Sequence, residues 1–175
     1  FRKGVFMKIR HLYLLVALVA LALSPAIALA HDDPTPHPGL HDSDDHHRMQ
    51  LVLVEHATHI TNIDQGEQGP SVGDVILWGP NPMYDAANTT DTGATTQGVC
   101  TAFEPGGDCM LLETIAFPDG STLQLQGIQP GQPRTSTRTI VGGSGQYLGA
   151  MGTVTVEPTT DRTVWTKTFD IWFED

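Results

Sequence analysis

The chain has 175 residues, with 9 Lys+Arg against 20 Asp+Glu and a formal charge of −11. That length supports one domain plus tails rather than two full domains. The acidic balance excludes the basic face that nucleic acid or anionic lipid requires. Two cysteines are too few for a four-thiolate zinc site, but they suffice for one bridge.

Residues 1–30 read as an export signal. Arg2, Lys3, Lys8 and Arg10 make a positive start, and an apolar run extends from Leu12 to Leu23. Pro25 breaks the run, and Ala28-Leu29-Ala30 supplies small residues for cleavage. The run is shorter than the roughly 20 residues of a spanning helix, so no stable membrane anchor is expected. Met7 marks the expected start, with residues 1–6 upstream of it. Cleavage near Ala30 implies a secreted or extracytoplasmic protein, in a compartment where disulfides persist. Without the signal, five basic residues remain against 20 acidic, a formal charge of −15.

Residues 31–48 form a segment with five His, five Asp and three Pro, and Leu40 is its only large aliphatic residue. Such a stretch buries too little apolar surface to offset its ordering entropy, so a disordered linker is expected. Its imidazoles and carboxylates also suit weak capture of Zn, Cu or Ni, an alternative role for the tail. No metal site is assigned to the domain that follows.

Residues 49–175 alternate apolar and polar side chains in short runs separated by Gly, Pro, Asn and Asp clusters. No window of 12 or more carries a helical period. Strands are expected over 51–58, 73–78, 94–103, 109–117, 121–128, 134–141, 152–157 and 164–173. Gly79-Pro80-Asn81-Pro82 must bend or leave the ladder. Pro118-Asp119-Gly120 is a tight turn. Eight short strands with short connections favour an antiparallel meander, and eight suffice to close a small barrel. A sandwich fits the same pattern.

Cys100 and Cys109 flank Pro105-Gly106-Gly107. On a hairpin they would lie on neighbouring strands, and a bridge closing about ten residues would add about 2–3 kcal/mol in the chain-entropy model. A reactive thiol would need a nearby base, and the local sequence offers none.

Three segments carry a family resemblance. The first is Val72-Gly73-Asp74-Val75 with Asn81-Pro82-Met83-Tyr84-Asp85. The second is Thr96-Gln97-Gly98-Val99-Cys100. The third runs from Ile140 to Gly152 and includes Gly142, Gly143, Gly145, Gly149 and Gly152. Together they resemble the allene oxide cyclase and dirigent barrel superfamily, over about residues 50–173. The glycines suit positive φ or close backbone packing, with Tyr147 over the turn. The stretch lacks the Lys and following helix of a phosphate loop, so its role is architectural.

The resemblance implies an all-β, eight-stranded antiparallel closed barrel with an apolar lumen. Members confine a reactive molecule in one near-attack shape: a fatty-acid epoxide, a phenoxy radical or quinone methide, or a polyene. The implied partner is a hydrophobic small molecule (lipid, polyketide or phenolic), the implied activity that of an isomerase or cyclase. No obligatory cofactor is implied, and a homotrimer is. Glu55 lies in a strand that looks like the one carrying a lumen glutamate in the plant cyclases. There it would act as acid, base or cation stabiliser. Asn81 looks like the cyclases' asparagine, which would hold a water or an epoxide oxygen. Trp78 and Tyr84 are further ligand-binding candidates. Arg134 and Arg138 are candidates for a ligand carboxylate. Ala57 and Ala116 depart from the cyclases, which carry Asn and an aromatic residue there, so the cyclases' own substrate is not implied. Period two places Glu55 with Leu51 and Leu53, but both faces of that strand are apolar and an outward Glu55 remains open. A non-catalytic secreted or cell-surface protein on the same barrel is the alternative reading.

Overall fold

The computed structural model describes residues 47–173, so the expected export signal and most of the His/Asp segment lie outside the described residues. Nine strands follow in order: β1 (His47–His56), β2 (Ile60–Ile63), β3 (Val75–Tyr84), β4 (Asp91–Ala102), β5 (Cys109–Ala116), β6 (Thr122–Gln129), β7 (Ser136–Ser144), β8 (Ala150–Pro158) and β9 (Val164–Phe173). Each of β3 to β8 pairs antiparallel with its successor. β1 pairs with both β9 and β3, which closes a ring of eight strands. The fold is therefore a closed antiparallel barrel, not a sandwich, with β2 as an extra strand on the start of β3.

β1 begins at His47, so the last two residues of the His/Asp segment, His47 and Arg48, join the ladder opposite Phe173 and Trp172. The Gly79–Pro82 stretch does leave the ladder locally, with a cis Gly79–Pro80 bond and a register shift between Trp78 and Asn81. The strand then resumes to Tyr84, six residues beyond the expected end at Trp78. β1 and β2 are two halves of one edge against β3, broken at Ala57–His59 opposite that bulge.

The inward faces follow period two. Met83, Ile115, Leu123, Leu125, Ile140, Val154, Phe169 and Ile171 fill one end of the lumen. Tyr147 packs on Phe117 at that end, with ring centroids 4.7 Å apart. The glycine-rich segment forms the connection from β7 to β8 and includes a single 3-10 turn, Gly145–Tyr147. Gly142, Gly145, Gly149 and Gly152 take positive φ. At Gly143 a Cβ would strike the Tyr147 and Thr122 carbonyls, and at Gly152 it would strike that of Asp170.

Cys100 and Cys109 are disulfide-bonded on the lumen face. They lie diagonally, since Cys100 is opposite Leu111 and Cys109 opposite Ala102. With Leu111, Ile76 and Trp78 they make a second, smaller apolar cluster. On the outer face, Leu77, Leu112, Met110 and Ile128 are exposed across β3, β5 and β6. Among the described residues no helix is long and apolar enough to cross a membrane.

Candidate functional site

Between the two apolar clusters the lumen holds a layer of charge. On β9 the inward series is Trp165, Lys167, Phe169, Ile171, and on β5 it is Cys109, Leu111, Glu113, Ile115. β7 contributes Arg138 next to Ile140 on the same face. β1 contributes Glu55, which turns inward and is only 5% exposed. Each charged residue sits where alternation calls for an apolar one.

These groups pair among themselves. Lys167 Nζ lies 2.7 Å from Glu55 Oε2 and also pairs with Glu113 Oε1. Arg138 gives one terminal nitrogen to Glu113 and the other to Gln129 Oε1. Thr96 Oγ1 donates to Glu113 Oε1 at 2.7 Å. The four charges, Glu55, Glu113, Arg138 and Lys167, sum to zero. Full burial alone would raise the Glu113 pKa, but the Lys167 and Arg138 charges and the donors on its oxygens outweigh that and lower it to about 2.

Asn81 joins this layer to the break in the edge strand. Its Oδ1 accepts from the backbone N–H of Thr58 at 3.2 Å and of His59 at 2.8 Å. Its Nδ2 donates to Glu55 Oε1 at 2.7 Å. One fully buried amide therefore satisfies backbone groups that the break frees and fixes the Glu55 carboxylate between itself and Lys167.

Above the charge layer a cavity of about 330 Å³ opens at the end of the barrel. Glu55, Glu113, Gln129, Arg138 and Asn81 line it together with Trp78, Trp165, Ile76, Ala57 and Cys100. Asp161, Arg162 and Thr163, in the connection from β8 to β9, lie at its rim. Trp78 reaches the lumen because Gly98 is its cross-strand partner, and a Cβ there would collide with the indole. Trp165 Nε1 donates to the Arg162 carbonyl at 2.9 Å, which fixes the second indole. A neighbouring depression of about 370 Å³ shares Asn62, Ile76 and Arg162 with the cavity but none of the buried charge layer.

Glu55, Asn81 and Trp78 thus meet at one cavity, and Cys100 stands in its wall. Tyr84 stands apart: it stacks on His56 with centroids 4.2 Å apart and is not among the lining residues. Arg134 is also elsewhere, paired with Asp108 at 2.9 Å and largely exposed. Sequence reasoning missed Glu113 and Lys167, although their place in apolar inward series was a usable signal.

No family model and no curated protein matches the sequence. Solved structures do match. A pyocyanin demethylase shares 18% identity with a TM-score of 0.61, over 70% of this chain and 99% of that one. The pterocarpan synthase dirigent protein GePTS1 shares 16% with a TM-score of 0.60, over 83% and 100%. The Diels Alderase AbmU from Streptomyces koyangensis shares 16% with a TM-score of 0.57, over 75% and 71%. Ring closure, strand count and these likenesses agree: the chain has the closed antiparallel barrel fold of these structures.

Proposed function

We propose that this protein is an exported barrel that binds a hydrophobic small molecule in its lumen and steers its cyclisation or stereochemistry. The observation that carries this reading is the cavity itself, an apolar wall with two indoles above a buried, internally neutral charge layer. Its volume lies at the small end of ligand pockets, which enclose roughly 300–1,000 Å³. The apolar body of the ligand lies against Trp78, Trp165 and Ile76, and its polar or reacting end faces Glu55. Most of the rate effect comes from confinement in one shape. Glu55 contributes the local chemistry: held by Asn81 and Lys167, its carboxylate steadies a developing cation or exchanges a proton. Tyr84 has no part in this site.

Self-association into a trimer belongs to the same proposal, with the exposed apolar row on β3, β5 and β6 as the contact face. A non-catalytic binding role is favoured by one observation: Glu55 and Glu113 are already paired, so neither offers a free carboxylate to the cavity.

The test is native mass spectrometry of the exported, mature protein, followed by structural identification of any adduct. A co-purifying lipid, polyketide or phenolic displaced by Trp78→Ala supports the lumen site. Incubation of the recovered compound or its precursor then separates the two roles. A product distribution altered by Glu55→Gln supports steering, and an unchanged one leaves binding alone. A clean apo mass after challenge with lipids and phenolics overturns the small-molecule reading.

A further inference from the structure

Basic side chains are scarce, and their placement is uneven. Residues 47–173 contain 13 acidic and five basic residues. Three of those five, Arg138, Arg162 and Lys167, gather at the cavity or in the charge layer beneath it. A chance scatter over so acidic a surface would place them beside the many exposed carboxylates, as Arg134 is placed beside Asp108.

Lys167 is fully engaged by Glu55 and Glu113. The other two are not. Arg138 is 4% exposed, and while its terminal nitrogens are taken by Glu113 and Gln129, its Nε is buried without a hydrogen-bond partner. An unmet buried donor is costly and uncommon, and here it belongs to a residue of the cavity wall. Arg162 donates from Nη1 to the Gly131 carbonyl at 2.9 Å, and its guanidinium lies 5.2 Å from the centre of the Trp165 ring. Among the described residues it has no carboxylate partner. The adjacent Asp161 is committed instead to Thr159 and Thr163 in the turn, at 2.6–3.2 Å. Burial, and then the nearby Arg138 charge, push the Arg162 pKa down, so its cation is poorly compensated by its immediate partners. The backbone of Arg162 is left-handed, with φ 59°, at a position where Gly or Asn would cost less. The two glutamates do not serve Arg162, because Lys167, Arg138 and Asn81 already neutralise or occupy them.

We infer that the cavity selects an organic anion: a planar, mostly apolar molecule bearing a carboxylate or similar oxyanion. The oxyanion is received by the Arg162 guanidinium, with the buried Arg138 charge behind it, while the ring lies against Trp78 and Trp165. This rests on the small-molecule reading above and narrows it to one ligand class. Arginine suits the role because its planar donors match a carboxylate and its face stacks on indole.

The experiment compares 2-naphthoate with 2-methylnaphthalene by titration of indole fluorescence in the full mature protein. Hydrophobicity alone favours the methyl compound. The expected result is that the naphthoate binds about tenfold or more tightly than the hydrocarbon, a gap that narrows as salt is raised. Arg162→Gln, at the rim, is expected to remove most of that preference, while Arg134→Gln leaves it intact. Equal affinity for the two probes, or an undiminished preference in Arg162→Gln, overturns the anion inference and leaves the small-molecule reading standing. Binding of neither probe overturns both.

Discussion

The two ends of the lumen are built from the same alternating strands but solve different problems. At the closed end, inward positions carry Ile115, Ile140, Phe169 and Ile171, and the space is filled. One or two inward positions further along the same strands stand Glu113, Arg138 and Lys167, and beyond them the lumen opens into the cavity. Apolar side chains would fill this layer more cheaply, since buried ion pairs generally contribute less than well-packed hydrophobic replacements. The charge layer is therefore best understood as serving the cavity, and the closed end as serving stability.

The largest effects come from injuring either end alone. Phe169→Ala is expected to cost about 3–5 kcal/mol through lost packing and a cavity. Glu113→Gln is expected to cost a similar amount, about 3–5 kcal/mol, because it leaves Lys167 and Arg138 buried with reduced compensation. Denaturant midpoints check both. The two ends separate when the charge layer is replaced as a whole. A chain with Glu55, Glu113, Arg138 and Lys167 all changed to Leu or Met should regain wild-type stability or exceed it by about 1–4 kcal/mol, and should lose ligand capture. Failure of that variant to fold would erase the distinction between the ends.

A smaller effect concerns the bridge in the cavity wall. Cys100→Ala with Cys109→Ala is expected to lower stability by about 2–3 kcal/mol, measured against the oxidised protein. Acid reports on the charge layer in particular. The Glu113 pKa falls from 4.5 to about 2 on folding, so between those values the group binds fewer protons in the folded chain than in the unfolded one. Its stabilisation is fully present above about pH 4.5 and is lost as pH falls towards 2. Thermal midpoints between those limits should fall less steeply in Glu113→Gln than in the parent. The smallest expected change in stability, within about 0.5 kcal/mol, belongs to Leu112→Glu on the outer face. That variant should shift the native mass of the proposed trimer to monomer, and an unchanged mass would remove this face from the proposed contact.

Much of the barrel could be read from alternation and turn residues alone, because half-buried strands impose period two and the hairpins need Gly, Pro and Asp. The strand set from Ala94 onward, the Cys100–Cys109 hairpin and the glycine-rich connection all follow from such local rules. The broken edge does not. Pro80 and Pro82 remove backbone donors, and across the break the Asn81 side chain bonds Thr58 and His59 more than 20 residues away before the ladder to β4 resumes. Glu55 was readable as a candidate but not as inward, because Val52 and Val54 make its opposite face apolar too. Glu113 and Lys167 were hidden by the habit of assigning charges to solvent. Their partners lie 25 and 54 residues from Glu113 along the chain, and no local pattern announces them.

The double duty of Asn81 has a mechanical consequence. Its carbonyl oxygen splints the joint between β1 and β2, and its amide nitrogen holds Glu55. β2 in turn supplies Ile60 and Asn62 to the cavity wall. A guest molecule that draws Glu55 away from Asn81 loosens the splint, and the wall beside the guest gains freedom at the same moment. The barrel thus carries a short lever, one side chain long, that links what happens at the carboxylate to how firmly the doorway is held.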